Sequence, residues 1–400
     1  LIVGHVQSGK TGNYTGLICK AADAGYKIII VLAGLHNNLR TQTQIRLDEG
    51  FLGYTTSSQR QDLKLTGVGE LDNDPSIRPN YATNQQTDFN HRAHQVGITS
   101  RDMPLLFVVK KNKSILENLF KWLTNNYADR YDHERDQKII NNQALLLIDD
   151  EADHASVDTR ENTTRGDGEL NAEHQPTAIN HGIRKILNLF SKKAYVGYTA
   201  TPFANIFIDP ENEDEMLNDD LFPRDFIISL DAPSNYVGAK RIFNEKSDLD
   251  ILRKIDDYDD ILPLKHKKED LPQILPPSLK EAIRSFILIK ANRSLRGQNK
   301  NHNSMLINVS RFTAIQSHIK ILVHDYLTEL RDSIANHYAL PEKDALKNSI
   351  IVSLKNTWDK EFKNTEFSWG AIQKELKSAV FPIKAIEVNS SSKSEPLDYN

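Results

Sequence analysis

The sequence predicts an α/β fold built on a parallel sheet, and three observations carry the prediction. Short aliphatic runs recur along the first half of the chain, helical patterns lie between several of them, and Gly or polar clusters mark the joins. Five runs read as strands buried on both faces: Leu1–Val3, Lys27–Ala33, Leu105–Val109, Ala144–Asp149 and Ala194–Tyr198. A helix over Thr11–Ala24 follows the first run and stops at Gly25, a residue suited to a helix C-terminus. Ser114–Asn125 carries Ile115, Leu116, Leu119, Phe120 and Leu123 at helical spacing, and Ile183–Phe190 is a third helix. This alternation is the pattern of a doubly wound domain.

The stretch Phe51–Thr99 is polar and reads as an insertion or irregular excursion, and Asp158–Pro176 as a polar loop. Asp209–Asp220 is acidic and expected to be exposed, and Glu245–Asp270 is a charged run with prolines near its end. Residues 1–210 are therefore read as one domain and 211–275 as a charged linker or insertion. A partial second α/β pattern is expected over 276–400. It has helices at Pro277–Leu295, Phe312–Ile334 and Trp369–Lys377, and strands at Ser304–Val309 and Ile383–Val388. The chain opens inside a strand with Leu1, and the second pattern has few strands, so both ends read as cut.

Composition bounds the function classes. Fifty Lys and Arg against 54 Asp and Glu give a net charge of −4, so nucleic-acid contact must come from local patches. No apolar run reaches membrane-spanning length and no signal peptide is visible. Cys19 is the only cysteine, which excludes intrachain disulfides and cysteine-cluster zinc sites and fits a cytoplasmic location. It is expected to pack on the apolar side of the first helix.

The chain begins Leu1-Ile-Val-Gly-His-Val-Gln-Ser-Gly-Lys-Thr11, a strand end followed by Gly4, Gly9, Lys10 and Thr11 at the spacing of a phosphate-binding loop. Such a loop wraps backbone N–H groups round a phosphate, which requires residues tolerant of unusual dihedrals. Gly4, Gln7, Ser8, Gly9, Lys10 and Thr11 are the candidate binding residues. Lys10 suits the β- and γ-phosphates and the Thr11 hydroxyl suits Mg²⁺. His5, inside the loop, is expected to point outward. The plainer alternative is a Gly-containing strand-to-helix turn with no ligand.

A second motif, Leu145-Leu-Leu-Ile-Asp-Asp-Glu-Ala-Asp-His154, ends an aliphatic strand in carboxylates. Nucleotide hydrolysis needs such groups opposite a phosphate loop: Asp150 to hold Mg²⁺ and Glu151 to orient and deprotonate the attacking water. The alternative is an acidic surface turn. A third motif, Tyr198-Thr-Ala-Thr-Pro202, follows another strand; the Thr199 and Thr201 hydroxyls can hydrogen-bond the acidic cluster and couple nucleotide state to the other domain, with Asp153 among the coupling candidates.

Together the three motifs resemble superfamily-two helicases and translocases. A closer resemblance is to the Z1 domain family, a bacterial branch whose members carry an endonuclease label and are linked to restriction and phage-defence loci beside MORC-like ATPases. The residues that carry it include Gly4–Thr11, Ala33-Gly-Leu-His-Asn-Asn-Leu-Arg-Thr-Gln-Thr-Gln44, Asp150–Asp153, Tyr198–Ala204 and Met305-Leu-Ile-Asn-Val-Ser-Arg311. The resemblance implies a P-loop RecA-like helicase lobe and a partial second RecA-like α/β lobe, with ATP and Mg²⁺ as ligands. It implies DNA as a partner, MORC-like or restriction proteins as others, and hydrolysis that moves the lobes along DNA. An ATP-gated endonuclease and a non-translocating ATPase switch in a defence complex are the alternatives.

By the same resemblance Arg40, Thr41 and Gln42 touch a nucleic-acid backbone; the alternative is an ordinary helix start. Arg311 contacts phosphate or caps a strand. His154 links the acidic box to the Thr-Ala-Thr turn, or is a plain neighbour of it. Two departures stand out. The arginines that complete such an ATP site from the second lobe are missing before Asn400, and so is an adenine-reading segment upstream of the loop. Weak nucleotide binding and little hydrolysis by this stretch alone are expected. His91 and His94 have a possible metal-ligand spacing but only Asp88 as a carboxylate neighbour. No carboxylate and lysine set on a strand pair supports a nuclease site.

Overall fold

The computed structural model describes residues 1–57, 64–72, 74–90, 102–133, 136–157, 177–208, 213–214, 218–244, 249 and 251–389. The chain divides into two compact units, Leu1–Asp250 and Ile251–Asn400.

The first unit is α/β. Its strands are β1 (Ile2–Val3), β2 (Ile28–Ala33), β3 (Asn80–Tyr81), β4 (Leu105–Val109), β5 (Arg130–Asp132), β6 (Gln137–Asp150), β7 (Phe190–Thr199), a separate hairpin of β8 (Glu213–Asp214) and β9 (Asn218–Asp219), and β10 (Ile228–Ser229). Its helices are α1 (Lys10–Asp23), α2 (Asn37–Leu47), α3 (Val68–Leu71), α4 (Lys113–Tyr127), α5 (Ala178–Asn188), α6 (Phe203–Ile206) and α7 (Ala239–Phe243). The main sheet has eight strands in the order β10-β1-β7-β6-β2-β4-β3, with β5 pairing antiparallel on β6 and every other pair parallel. All six residues of β2 are buried, as a central parallel strand with both faces covered requires.

The alternation of strand side chains sends two apolar sets to opposite faces. Ile28, Ile30 and Leu32 join Phe107, Leu147, Leu116, Leu119 and Ile183 under α4 and α5. Ile29 and Val31 join Val108, Ile148, Tyr14 and Ile18 under α1. Cys19 packs at the margin of this second cluster, as expected.

The described residues of the polar excursion are more ordered than the sequence suggests. Asn80–Tyr81 adds a strand beside β4. The buried Asp48 carboxylate accepts bonds from Gln44 Nε2 (2.9 Å), Thr56 N (2.8 Å), Thr56 Oγ1 (2.8 Å) and Gln85 Nε2 (2.8 Å). A single satisfied acid therefore organises the chain, in place of the apolar periodicity that sequence reading looks for. The 211–275 stretch is also more than a linker: Ile228 pairs with Ile2, so the first unit runs past residue 210.

The second unit differs from the α/β expectation. It holds α8 (Pro277–Leu295), α9 (Thr313–His337), α10 (Glu342–Ala345), α11 (Ser349–Glu361) and α12 (Trp369–Val380), with no strand among its described residues. Ile287, Leu288, Val323, Leu330, Leu354, Trp358, Ile372 and Leu376 build its core from four of these helices. The expected strands at 304–309 and 383–388 lie outside any ladder. Met305, Ile307, Ile383 and Ala385 pack alternately on the helices while Leu306 (87% exposed) and Ile386 (54%) face out. Side chains in these segments do alternate, but a strand also needs a hydrogen-bonded neighbour, and no partner strand is found among the described residues.

Candidate functional site

Three neighbouring parallel strands, β1, β7 and β6, end on one side of the first unit, and each carries one of the motifs. Val3 is level with Thr199 across β1 and β7, and Asp150 with Tyr198 across β6 and β7. The loops that follow parallel strands gather at their C-terminal ends, which is where open α/β sheets bind ligands.

The loop after β1 closes on its own lysine. Lys10 Nζ donates to the carbonyls of Gly4 (3.1 Å) and His5 (3.0 Å), and Ser8 Oγ donates to His5 O (2.8 Å). Gln7 (φ 55°) and Gly9 (φ 92°) adopt left-handed backbone, and Gly9 does so at little cost because it has no Cβ. A Cβ on Gly4 would lie 3.0 Å from Lys10 Cγ, so this glycine clears the path of the lysine stem. Helix α1 starts at Lys10 with no side-chain cap, which leaves its first-turn N–H groups for an external acceptor. This donor set fits a phosphate chain: a cation now satisfied only by loop carbonyls, and uncapped amides beside it.

Asp150 and its neighbours divide between the two faces of the sheet. Asp150 faces α1, where Tyr14 Oη donates to its Oδ2 at 3.3 Å. Tyr14 is fully buried and packs edge-on against Tyr198 at 5.4 Å. Burial raises the Asp150 carboxyl above its ordinary value and the Glu151 charge adds to the rise, while the Tyr14 bond and the Lys10 charge oppose it. Such a carboxylate favours a nearby cation. Glu151 is exposed and left-handed (φ 56°), and its Oε2 lies 3.4 Å from where a Cβ on Gly34 would stand. Gly34, itself at φ 63°, gives the carboxylate this room at the end of β2.

Asp149 points the other way into a buried cluster. Lys111 Nζ lies 2.7 Å from Asp149 Oδ1, with both side chains fully buried, and Tyr195 Oη donates to Asp149 Oδ2 at 2.7 Å. The same Lys111 ammonium donates to the carbonyls of Glu151 (2.6 Å) and His154 (3.1 Å), tying down the turn that carries Glu151. Lys111 escapes sequence reading because it sits in a run of lysines that looks like a solvated loop.

Within the acidic cluster it is Asp153 that meets the third motif. Thr199 Oγ1 donates to Oδ1 at 2.6 Å and Thr201 Oγ1 to Oδ2 at 2.5 Å. Burial alone would raise this carboxyl, but the two hydroxyl bonds hold it below its ordinary value. His154 is exposed and takes part through its backbone, its N–H bonding Glu151 O at 2.9 Å. Asn205, unremarked in the sequence, donates to Ala152 O at 3.1 Å and steadies the same turn.

The candidate nucleic-acid contacts sit differently. Arg40 is 2% exposed, and its guanidinium donates to Asn84 O and Gln85 O at 2.8 Å each. Thr41 Oγ1 also donates to Gln85 O, at 3.0 Å, and Gln42 is half-buried. Arg40 and Thr41 thus tie α2 to the polar excursion. Arg311 lies in the second unit, exposed, with its guanidinium 5.0 Å from the Phe312 ring centroid. His91 and His94 fall outside the described residues. Among the described residues no three His, Cys, Asp or Glu side chains gather as a ready-made metal cage. Mg²⁺ on a nucleotide needs none, since one or two carboxylates, phosphates and waters hold it.

No helix among the described residues is long and apolar enough to cross a membrane. No curated protein and no solved structure is significantly similar to the chain. What the chain is similar to is the Z1 domain, whose family model matches residues 278–400, within the second unit.

Proposed function

We propose that the first unit carries the ATP- and Mg²⁺-binding half of a hydrolytic site, with weak binding and little turnover by this stretch alone. We further propose that the chain is the motor core of a superfamily-two helicase-like protein acting on DNA in bacterial restriction or phage defence, beside MORC-like or restriction proteins. One observation carries the reading: the loop of Lys10, the carboxylates of Asp150 and Glu151, and the Asp153–Thr199–Thr201 cluster stand at the ends of three neighbouring parallel strands.

In this reading the Gly4–Thr11 loop and the first turn of α1 hold the phosphates, and Lys10 exchanges its carbonyl partners for phosphate oxygens. Thr11 and Asp150 are the residues for Mg²⁺, which supplies charge neutralisation on the phosphates when bound. Glu151 orients a water and accepts its proton. Asp153, bonded to both threonine hydroxyls, passes changes at the acidic turn into β7.

The inward-turned Arg40 favours a second reading, an ATP-gated switch that responds to a protein partner and does not move along DNA. Both readings are tested by ATP binding and turnover, with and without DNA, on the wild type, Lys10→Ala and Glu151→Gln. Lys10→Ala is expected to abolish binding. Glu151→Gln is expected to keep binding and lower turnover by about 10²- to 10⁴-fold, the usual contribution of a positioned base. ATP binding unchanged in Lys10→Ala rules out this site. Stimulation by DNA favours the motor, and its absence favours the switch.

A further inference from the structure

Tyr236 lies in the segment after β10, and the pairing of β10 with β1 brings that segment beside the phosphate loop. Ile228 pairs with Ile2, and Leu230 N donates to Val3 O at 2.8 Å just before the loop begins. Two contacts then hold the Tyr236 ring, and a glycine makes room for it. It stacks on His5 with centroids 5.6 Å apart and planes 28° from parallel. Its hydroxyl donates to Val6 O at 2.7 Å. A Cβ on Gly238 would stand 2.2 Å from its ring, so only a glycine there lets the ring lie where it does.

Tyr236 is nonetheless only half-buried, His5 is exposed, and Val6 is 64% exposed. Ordering a half-buried aromatic costs side-chain entropy and returns only part of what full burial would. What the arrangement provides is a flat, fixed π surface at the mouth of a phosphate loop. His5 joins the two features: its carbonyl holds the Lys10 ammonium at 3.0 Å and its ring holds Tyr236.

We propose that Tyr236, backed by His5, is the platform on which the base of a nucleoside triphosphate stacks when its phosphates occupy the loop. This rests on the phosphate-binding reading and adds a base site downstream of the loop, where the sequence had suggested one upstream. Stacking uses the face of the base and not its edge, so it tolerates different bases.

The test compares binding of ATP and of inorganic tripolyphosphate, both with Mg²⁺, by titration calorimetry on the wild type, Tyr236→Ala, Tyr236→Phe and Lys10→Ala. Loss of one stacking aromatic typically weakens binding about tenfold to a hundredfold. Tyr236→Ala is expected to weaken ATP by that factor and leave tripolyphosphate unchanged. Tyr236→Phe, which keeps the ring and loses only the bond to Val6, is expected to hold ATP within a fewfold of wild type. Equal weakening of both ligands by Tyr236→Ala would show that the ring merely props the loop, and unchanged ATP binding would also overturn the platform. A wild-type chain that takes neither ligand, with Lys10→Ala no different, overturns the phosphate-binding reading and the platform together.

Discussion

At the scale of the residue, the candidate site depends on one buried cation. Lys111 is paired with Asp149 at 2.7 Å with both side chains fully buried, and the same ammonium holds the carbonyls of Glu151 and His154. Desolvating two charges is costly, so the pair adds little net stability compared with a well-packed apolar pair of the same shape. Removing one partner is different, because it leaves an uncompensated charge. Lys111→Met is expected to destabilise the first unit by about 3–5 kcal/mol in denaturant unfolding. Lys111→Met with Asp149→Asn should recover part of that loss, since the stranded charge is gone. Equal loss in the single and double variants would mean that the ammonium acts through the Glu151 and His154 carbonyls and not through Asp149.

At the scale of the element, α4 and α5 lie close because Gly182 has no side chain. A Cβ there would stand 3.0 Å from Leu116 Cδ1 and 3.1 Å from Leu116 Cβ. Gly182→Ala sets two effects against each other. Helix propensity favours alanine by about 1 kcal/mol. Overpacking costs about 1–3 kcal/mol, and here the near contact includes a Cβ, which cannot rotate away. The expected net is a loss of stability, read as a lower denaturation midpoint; a rise would show that the two helices separate freely.

The same close packing marks where sequence reading ends. Strands such as Leu105–Val109 and the three motifs were legible because their signals are local: an aliphatic run, or a chemical pattern at its end. The meeting of the Thr199 and Thr201 hydroxyls with the acidic cluster was legible for that reason too. Lys111, Asn205 and Tyr236 were not, because each acts on a turn far away in the chain. The partners of Arg40, the carbonyls of Asn84 and Gln85, were not legible either, because they belong to a segment with no periodic signal. In the second unit the alternating segments at 304–309 and 383–388 carried a strand signal, but strand identity is a property of pairs, which one segment alone does not encode.

At the scale of the whole molecule, two units with separate cores mean that one melting temperature does not describe the chain. Ligand effects must therefore be read on the unit that binds. The chain offers such a reporter, because one of its three tryptophans, Trp122, is 7% exposed in α4 of the first unit and packs edge-on against Phe107 at 5.6 Å. Trp358 and Trp369 belong to the core of the second. A chain carrying Trp358→Phe and Trp369→Phe then reports the first unit alone by fluorescence. A ligand that binds only the folded state stabilises it by RT ln(1 + [L]/Kd), about 2.7 kcal/mol at a hundredfold excess over Kd. ATP with Mg²⁺ at that excess is expected to shift the Trp122 transition by this amount, and Lys10→Ala to abolish the shift. The prediction needs no turnover, so it isolates binding from hydrolysis. A transition that stays in place at saturating ATP would mean that the loop after β1 is a structural turn, and that the carboxylates of β6 serve some other purpose.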